Sequence, residues 1–469
     1  MGDLNAMKRL LKCCLIFGVA GALFLFLLGV LNIQPMILQD EFHYFDEARK
    51  FPIADSTLPN MLFLYFIKLG LMFELNSLTS VRILNFAIFS ILWVWLLARD
   101  VDHIDPVLRW LFPICCPILI LLSYSMPDLL FSASIIIALL LFVEFRSFLL
   151  LGLLLAILCL IKPHGYYISA LAWTSAGIAL IFTFQKKRDT KQFIPVFFGG
   201  LVQVLTLCIV KFAYFGSFDP FIFGSYSRVT AGFLSEQYYL QGLMFLGTIL
   251  GFKLALAFSY YSCFGWVEHY GRLWKDRADT NIRFSDLFLS ILLILMPVGM
   301  LCISSIFTVM TDVQASSEKA FVFLRYSAAA FLLPYFVNVP SILSSNPNIR
   351  PYRDFDGPTK LTLGIIAIAA FVLISLSGFV NYAWNDQMAL IEQSDVLNYA
   401  LVLLVCCAAC WHWRRAKRTL IIPILFVGLT QATNLVGYVK YFSSIPNVPL
   451  AVANYLSTAA CKSVTVYDD

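Results

Sequence analysis

Four carboxylates fall within eight positions of the segment Gln39-Asp40-Glu41-Phe42-His43-Tyr44-Phe45-Asp46-Glu47-Ala48-Arg49-Lys50, in a chain that is 60% hydrophobic and only 13% charged. Such side chains do proton chemistry: an ionised Asp held against a hydroxyl can take its proton as a general base. Asp40 and Glu41 are adjacent, so on a helix or turn they point in different directions. They do not flank one bond as the paired carboxylates of glycoside hydrolysis do. A single base, Asp40, with Glu41 or Asp46 in support, is the simpler reading. His43 is either a supporting group or an aromatic partner at an interface, and Asp46 and Glu47 read as solvation of the helix. The competing reading of the whole segment is a solvated amphipathic loop helix with no chemistry.

Isolated cations lie near expected helix ends at Arg82, Lys162 and Arg325, the last followed by Tyr326. Each alone can snorkel to a membrane interface with no further role. Together with Asp40 they suggest an anionic ligand beside a carboxylate, arginine being able to grip phosphate through two parallel hydrogen bonds. Asp128 follows Pro127 in the turn Tyr124-Ser125-Met126-Pro127-Asp128. It is either a second acid near the same cavity or the N-cap of the next helix. No P-loop and no G-x-G-x-x-G after a strand is present, and no His/Cys/Asp spacing argues for zinc. No cofactor is expected; a divalent cation on Asp40, Glu41 or Asp128 is the open alternative, which spacing alone does not support. Basic patches interleaved with aromatics are absent, so nucleic acid is not an expected partner.

These residues must be positioned by membrane helices. A mean hydropathy of +0.82 over 469 residues belongs to a polytopic membrane protein, because one soluble core could not hide so many long apolar runs. Span-length windows predict an all-α transmembrane bundle of about 13 helices, near 11–32, 80–98, 109–124, 128–145, 148–162, 166–184, 193–213, 241–262, 286–309, 321–340, 361–383, 397–413 and 419–438. Residues 1–438 make up this transmembrane module, and 439–469 form a short tail.

Alternating the spans from a cytoplasmic N-terminus puts the clustered cations on one side: Lys8, Arg9 and Lys12; Lys186, Lys187, Arg188 and Lys191; Arg272 to Arg283; Arg350 to Lys360; and Arg414 to Arg418. Only scattered cations reach the other side. The positive-inside rule therefore predicts N-terminus in and C-terminus out, with the acidic segment on the extracytoplasmic face. The first span reads as an uncleaved signal anchor, its apolar run exceeding a signal peptide's core. Most of the 12 Cys fall in apolar spans or near the cytoplasmic side, so no disulfide framework is implied. The absence of any N-x-S/T sequon favours a bacterial inner membrane over a secretory pathway.

The first external loop, about 33–79, is the longest. Residues 40–50 are expected as a short helix, and the apolar stretch 60–75, interrupted by Lys68, as a helix lying in the interface. Counting that stretch as a span would turn every later basic loop outward, which the charge pattern rejects.

The order of these features resembles the GT-C superfamily of integral-membrane glycosyltransferases. An acidic pair, Asp40-Glu41, follows the first span; an external loop carries an interfacial helix; then come Arg82-Ile83-Leu84-Asn85, Met126-Pro127-Asp128, Lys162-Pro163-His164-Gly165 and Arg325-Tyr326. The resemblance is closest to the branch of protein O-mannosyltransferases, aminoarabinose transferases and O-antigen glucosyltransferases, and it is good over about residues 1–185 and weak beyond. It implies an inverting transfer of one sugar from a polyprenyl-phosphate donor to a hydroxyl of an envelope glycan or lipid such as lipopolysaccharide O-antigen. Asp40 would be the base, supported by Glu41, with Arg82, Lys162 and Arg325 at the donor phosphate and His43, Asp128 and Tyr326 as supporting residues. The chain departs from relatives that carry a His-Pro-Pro-like turn, reading Ser56-Thr57-Leu58-Pro59-Asn60. The alternatives are a lipid-linked glycan flippase or transporter, which would carry acids mid-span, and an O-antigen polymerase or ligase, which would concentrate function in late external loops.

Overall fold

A computed structural model describes residues 38–49, 59–72, 77–98, 127–185, 190–222, 283–314, 320–321, 328–337 and 380–381, with positions 21, 109, 112, 250, 254, 257, 261 and 266. The expected spans near 397–413 and 419–438, the tail 439–469 and Arg325-Tyr326 lie outside these residues, and those near 11–32, 109–124, 241–262 and 361–383 do so at all but these few positions.

In chain order the described elements are α1 (Leu38–Arg49), α2 (Met61–Leu71), α3 (Ser77–Ala98), α4 (Asp128–Phe145), α5 (Phe148–Ile161), α6 (His164–Gln185), α7 (Phe193–Phe215), α8 (Phe284–Gln314), β1 (Ala320–Phe321), α9 (Ala328–Phe336) and β2 (Val380–Asn381). Among the described residues, four stretches are long and apolar enough to cross a bilayer: Asp128–Phe145, His164–Thr183, Phe193–Phe215 and Phe284–Ile306. The described part is thus a helical membrane protein. The apolar part of α3 and the 14-residue α5 are shorter. At 1.5 Å per residue α5 rises only about 21 Å, less than a bilayer's hydrocarbon thickness, so its expectation as a full span is not met by its own length.

The helix boundaries have local causes. Arg146 takes a left-handed conformation (φ 51°) that closes α4. Ser147 then caps α5, its hydroxyl accepting from Leu150 N, as a good N-cap residue does. α5 ends at Lys162, whose extended backbone (φ −153°, ψ 140°) is what a following proline imposes. Gly216 (φ 69°) terminates α7 in the left-handed conformation that glycine adopts without strain.

α5 and α7 pack at backbone contact. A Cβ on Gly152 would meet Gly199 O at 2.0 Å, and one on Gly199 would meet Phe148 O at 2.4 Å. Small residues permit this close approach where lipid supplies no hydrophobic drive between helices. α6 packs along α8, and α9 along α4. At one end an aromatic knot joins Phe142, Phe148, Phe284 and Phe288, and Arg146 pairs with Asp286 at 2.9 Å beside it. Residues assigned to one side by alternating the spans meet at one end of the bundle. Arg146 reaches Asp286 there, whereas Lys162, Asp128, Tyr65, Tyr214, Tyr166 and Pro220 gather at the other.

Among the described residues, the expected all-α fold carries one departure. Ala320–Phe321 pairs in parallel with Val380–Asn381, at the edges of two stretches expected as spans.

Candidate functional site

α1 opens on Leu38-Gln39-Asp40-Glu41 and closes on Arg49, with charges placed to complement the helix dipole. Tyr44, Phe45, Glu47 and Ala48 are buried, whereas His43, Asp46 and Arg49 are exposed. Tyr44 packs edge-on against Phe63 of α2, ring centroids 5.2 Å apart. Asp40 and Glu41 take the first turn of α1 by backbone position, and the described side chains of this helix begin at His43. The solvation reading of Glu47 is corrected: it is 2% exposed, because positions 44, 47 and 48 share the helix face that packs inward.

α2 starts at Asn60, which is fully buried (0% exposed). Its position is the N-cap, yet its side chain does not cap its own helix. Instead Nδ2 donates to Ile161 O at 3.1 Å, satisfying one of the carbonyls that the end of α5 leaves unpaired. The next residue, Lys162, turns its ammonium onto Asp128 Oδ1 at the head of α4. Asp128 is 3% exposed and Lys162 6%, so each charge is compensated inside the bundle, where an isolated one would be prohibitively costly. The N-cap reading of Asp128 is not realised: Pro127 holds that position, and the carboxylate spends Oδ1 on Lys162. Asp128 Oδ2 and Asn60 Oδ1 are buried with no hydrogen-bond partner among the described residues.

The restart of the chain adds His164. Gly165 N donates to Lys162 O and Tyr166 N to Pro163 O, which opens α6 directly after the proline. A Cβ on Gly165 would meet Cys159 N at 2.4 Å, so α6 can begin this close to the end of α5 only with glycine there. His164 lies between the rings of Phe131 and Tyr167, with centroids 6.5 Å and 6.3 Å away.

Arg82, five residues into α3, is 1% exposed. The snorkelling reading of this cation is corrected, because its guanidinium lies inside the bundle rather than at its rim. Asn85, nearly one turn on, is buried as well.

The same end is tied down on its far side. Tyr65 of α2 and Tyr214 of α7 share a hydrogen bond at 2.5 Å. Burial, and next the bond to Tyr214, push the Tyr65 hydroxyl up to about 12. After α7 the chain folds back so that Tyr166 OH donates to Pro220 O (2.8 Å) and accepts from Ile222 N (2.9 Å). Lys211 grips both oxygens of Asp219, and chiefly this holds the Asp219 carboxyl below its ordinary value.

The structure therefore brings together Asp128, Lys162, Asn60 and His164, with the acidic helix α1 attached through α2. Arg325 and Tyr326 lie outside the described residues, so their place beside this cluster is not described. Asn60 and Glu47 were not singled out as site residues from sequence. An Asn directly after Pro59, at the head of an apolar run, was the available signal for the first. For the second the signal was the helical spacing of Tyr44, Glu47 and Ala48. Among the described residues, no group of three or more His, Cys, Asp or Glu is placed to hold a metal ion.

Deeper in the bundle lies a second, uncharged network. Trp173 Nε1 donates to Gln203 Oε1 (2.6 Å), Gln203 Nε2 to Ser169 Oγ (2.7 Å), and Ser169 Oγ to Gly165 O (2.8 Å). It links α6 to α7 with its hydrogen bonds made internally. Comparison of the chain with protein-family models, with curated proteins and with solved structures finds no match.

Proposed function

We propose that the chain is an inverting, GT-C-like membrane glycosyltransferase. It moves a single sugar from a polyprenyl-phosphate donor to a hydroxyl of an envelope glycan or lipid, on the extracytoplasmic face of a bacterial inner membrane. The observation that supports this reading is the buried Lys162–Asp128 pair at the bundle end to which α2 also tethers the acidic helix α1. Asp40 deprotonates the acceptor hydroxyl, which attacks the anomeric carbon. The glycosidic C–O bond forms as the bond to the phosphate oxygen breaks, and polyprenyl phosphate leaves with the electron pair. Arg82, Lys162 and Arg325 stabilise the charge that grows on that phosphate, and Glu41, His43, Asp128 and Tyr326 support. The donor is lipid-linked, so no nucleotide site is needed.

The transporter alternative calls for charge along a pathway. Among the described residues, the polar network inside α5–α7 is uncharged, which favours a one-ended enzyme.

The test is transfer by the purified full chain from a panel of polyprenyl-phosphate sugars, with Asp40→Asn beside the wild type. Loss of a general base lowers kcat by about 10²–10⁴-fold. Full activity in Asp40→Asn removes Asp40 from the mechanism. A topology reporter at Tyr44 that reads cytoplasmic removes the extracytoplasmic mechanism altogether.

A further inference from the structure

We propose that Asp128 Oδ2 and Asn60 Oδ1 form a hydroxyl-recognising subsite, where the ends of α2, α4 and α5 meet, that selects the sugar of the donor. The inference rests on the glycosyl-transfer reading and adds to it the residues that read the sugar.

Both side chains are more than nine-tenths buried. Each has one polar atom engaged by a defined neighbour, Oδ1 of Asp128 and Nδ2 of Asn60, and one acceptor oxygen left over. Lys162 occupies Asp128 Oδ1 and sets a cation against the carboxylate. Asn60 Nδ2 is committed to Ile161 O, and this fixes which branch of the amide is the oxygen. The two residues are joined through consecutive positions of one turn, Ile161 bonding Asn60 and Lys162 bonding Asp128.

Buried acceptors left without donors cost free energy that a ligand bearing donors recovers. The chemistry of that ligand is narrow. A free anion is repelled by both acceptors, and a cation is opposed by the Lys162 ammonium. A neutral group carrying several O–H donors suits acceptor oxygens of this kind, and a sugar ring is such a group. A site that hydrogen-bonds a substrate hydroxyl rejects the analogue lacking it far more strongly than one that only fills space. The pair would therefore set which sugar is accepted rather than carry out the transfer.

The probes are polyprenyl-phosphate hexoses and pentoses with the full-length protein in detergent, the preferred donor then being made with each hydroxyl in turn replaced by hydrogen. Transfer kcat/KM and donor-induced thermal shift are both read. In the wild type, at least one deoxy donor is expected to lose about tenfold or more. Asp128→Asn keeps the shape and an oxygen for Lys162 but presents an NH2 at the other branch. There the parent and that deoxy donor should converge within about threefold, and Asn60→Ala should do the same for a second hydroxyl.

If both folded variants keep the wild-type ratios, as they would were the oxygens met only by water, the subsite is wrong while the transfer reading stands. If no donor is transferred but its thermal shift depends on one hydroxyl and that dependence vanishes in Asp128→Asn, the subsite stands and the transfer reading falls. Should both variants misfold, the wild-type shift series decides, and a series flat within about twofold overturns the subsite.

Discussion

The Lys162 ammonium closes on the Asp128 carboxylate across 34 positions of sequence, tying the end of α5 to the head of α4 with both side chains buried. The pair is costly to break from one side only. Lys162→Met leaves a buried carboxylate uncompensated and should destabilise the protein by about 3–5 kcal/mol. Lys162→Met/Asp128→Leu removes both charges and should recover most of that loss. Denaturation of the purified single and double variants gives the coupling energy directly. Additive effects would show that the two groups do not act as a pair.

Much of this was visible in residue types before any geometry. The ends of α4 and α5 follow from Pro127, Ser147 and Lys162-Pro163, which interrupt apolar runs for local reasons of capping and proline sterics. The Tyr65–Tyr214 and Tyr166–Pro220 bonds join positions that the alternation of spans puts on one face. Partnership across the fold was less legible. Asp128 and Lys162 were each singled out, but composition carries no information about which cation meets which carboxylate. Arg82 lies close enough to a helix end to snorkel, and only packing against neighbouring helices decides that it is buried instead. Glu47 stands among solvated charges in sequence, yet it shares a helix face with Tyr44 and Ala48. The parallel pairing of Ala320–Phe321 with Val380–Asn381 joins residues sixty positions apart, and two residues are too few to leave a strand period in the sequence.

The α5–α7 crossing predicts a steric sensitivity confined to its contact point. Gly152→Ala forces a methyl into Gly199 O at 2.0 Å, and backbone cannot move aside as a flexible side chain does. The expected loss is at least about 1–3 kcal/mol, the usual cost of overpacking. Gly177 lies within a helix with nothing within 4 Å of an added Cβ. Gly177→Ala should therefore be neutral or stabilising by up to about 1 kcal/mol through helix propensity. Thermal midpoints of the two variants in one detergent check the contrast, and equal shifts would contradict the close approach.

Gln203 accepts from Trp173 Nε1 and donates to Ser169 Oγ, so its removal orphans a half-buried donor. Gln203→Leu should destabilise by about 1–3 kcal/mol, the cost of leaving a buried polar group unpaired. In the Trp173→Phe background the orphaned N–H is gone, and the same substitution should cost less. Tryptophan fluorescence of the single variant supplies a second readout, since the indole N–H loses its partner. A Gln203→Leu midpoint equal to the wild type would show that the network carries no stability.

The Tyr65–Tyr214 bond predicts an alkaline limit for the attachment of α2 to α7. The Tyr65 hydroxyl is raised from 10.0 to about 12, first by burial and then by its bond to Tyr214, so the folded state holds that proton more tightly than the unfolded chain. The resulting stability is fully present below about pH 10 and is lost as pH rises from 10 towards 12. Asp219 has the opposite sign. Its carboxyl is lowered chiefly by Lys211, so its contribution is present above the ordinary carboxylate value and disappears as acid protonates the folded group. Stability measured against pH should therefore fall at the alkaline end in the wild type and fall less steeply there in Tyr65→Phe. Asp219→Asn should alter only the acid side of the curve. An alkaline fall of equal steepness in Tyr65→Phe would place its origin in other groups and detach it from the α2–α7 contact.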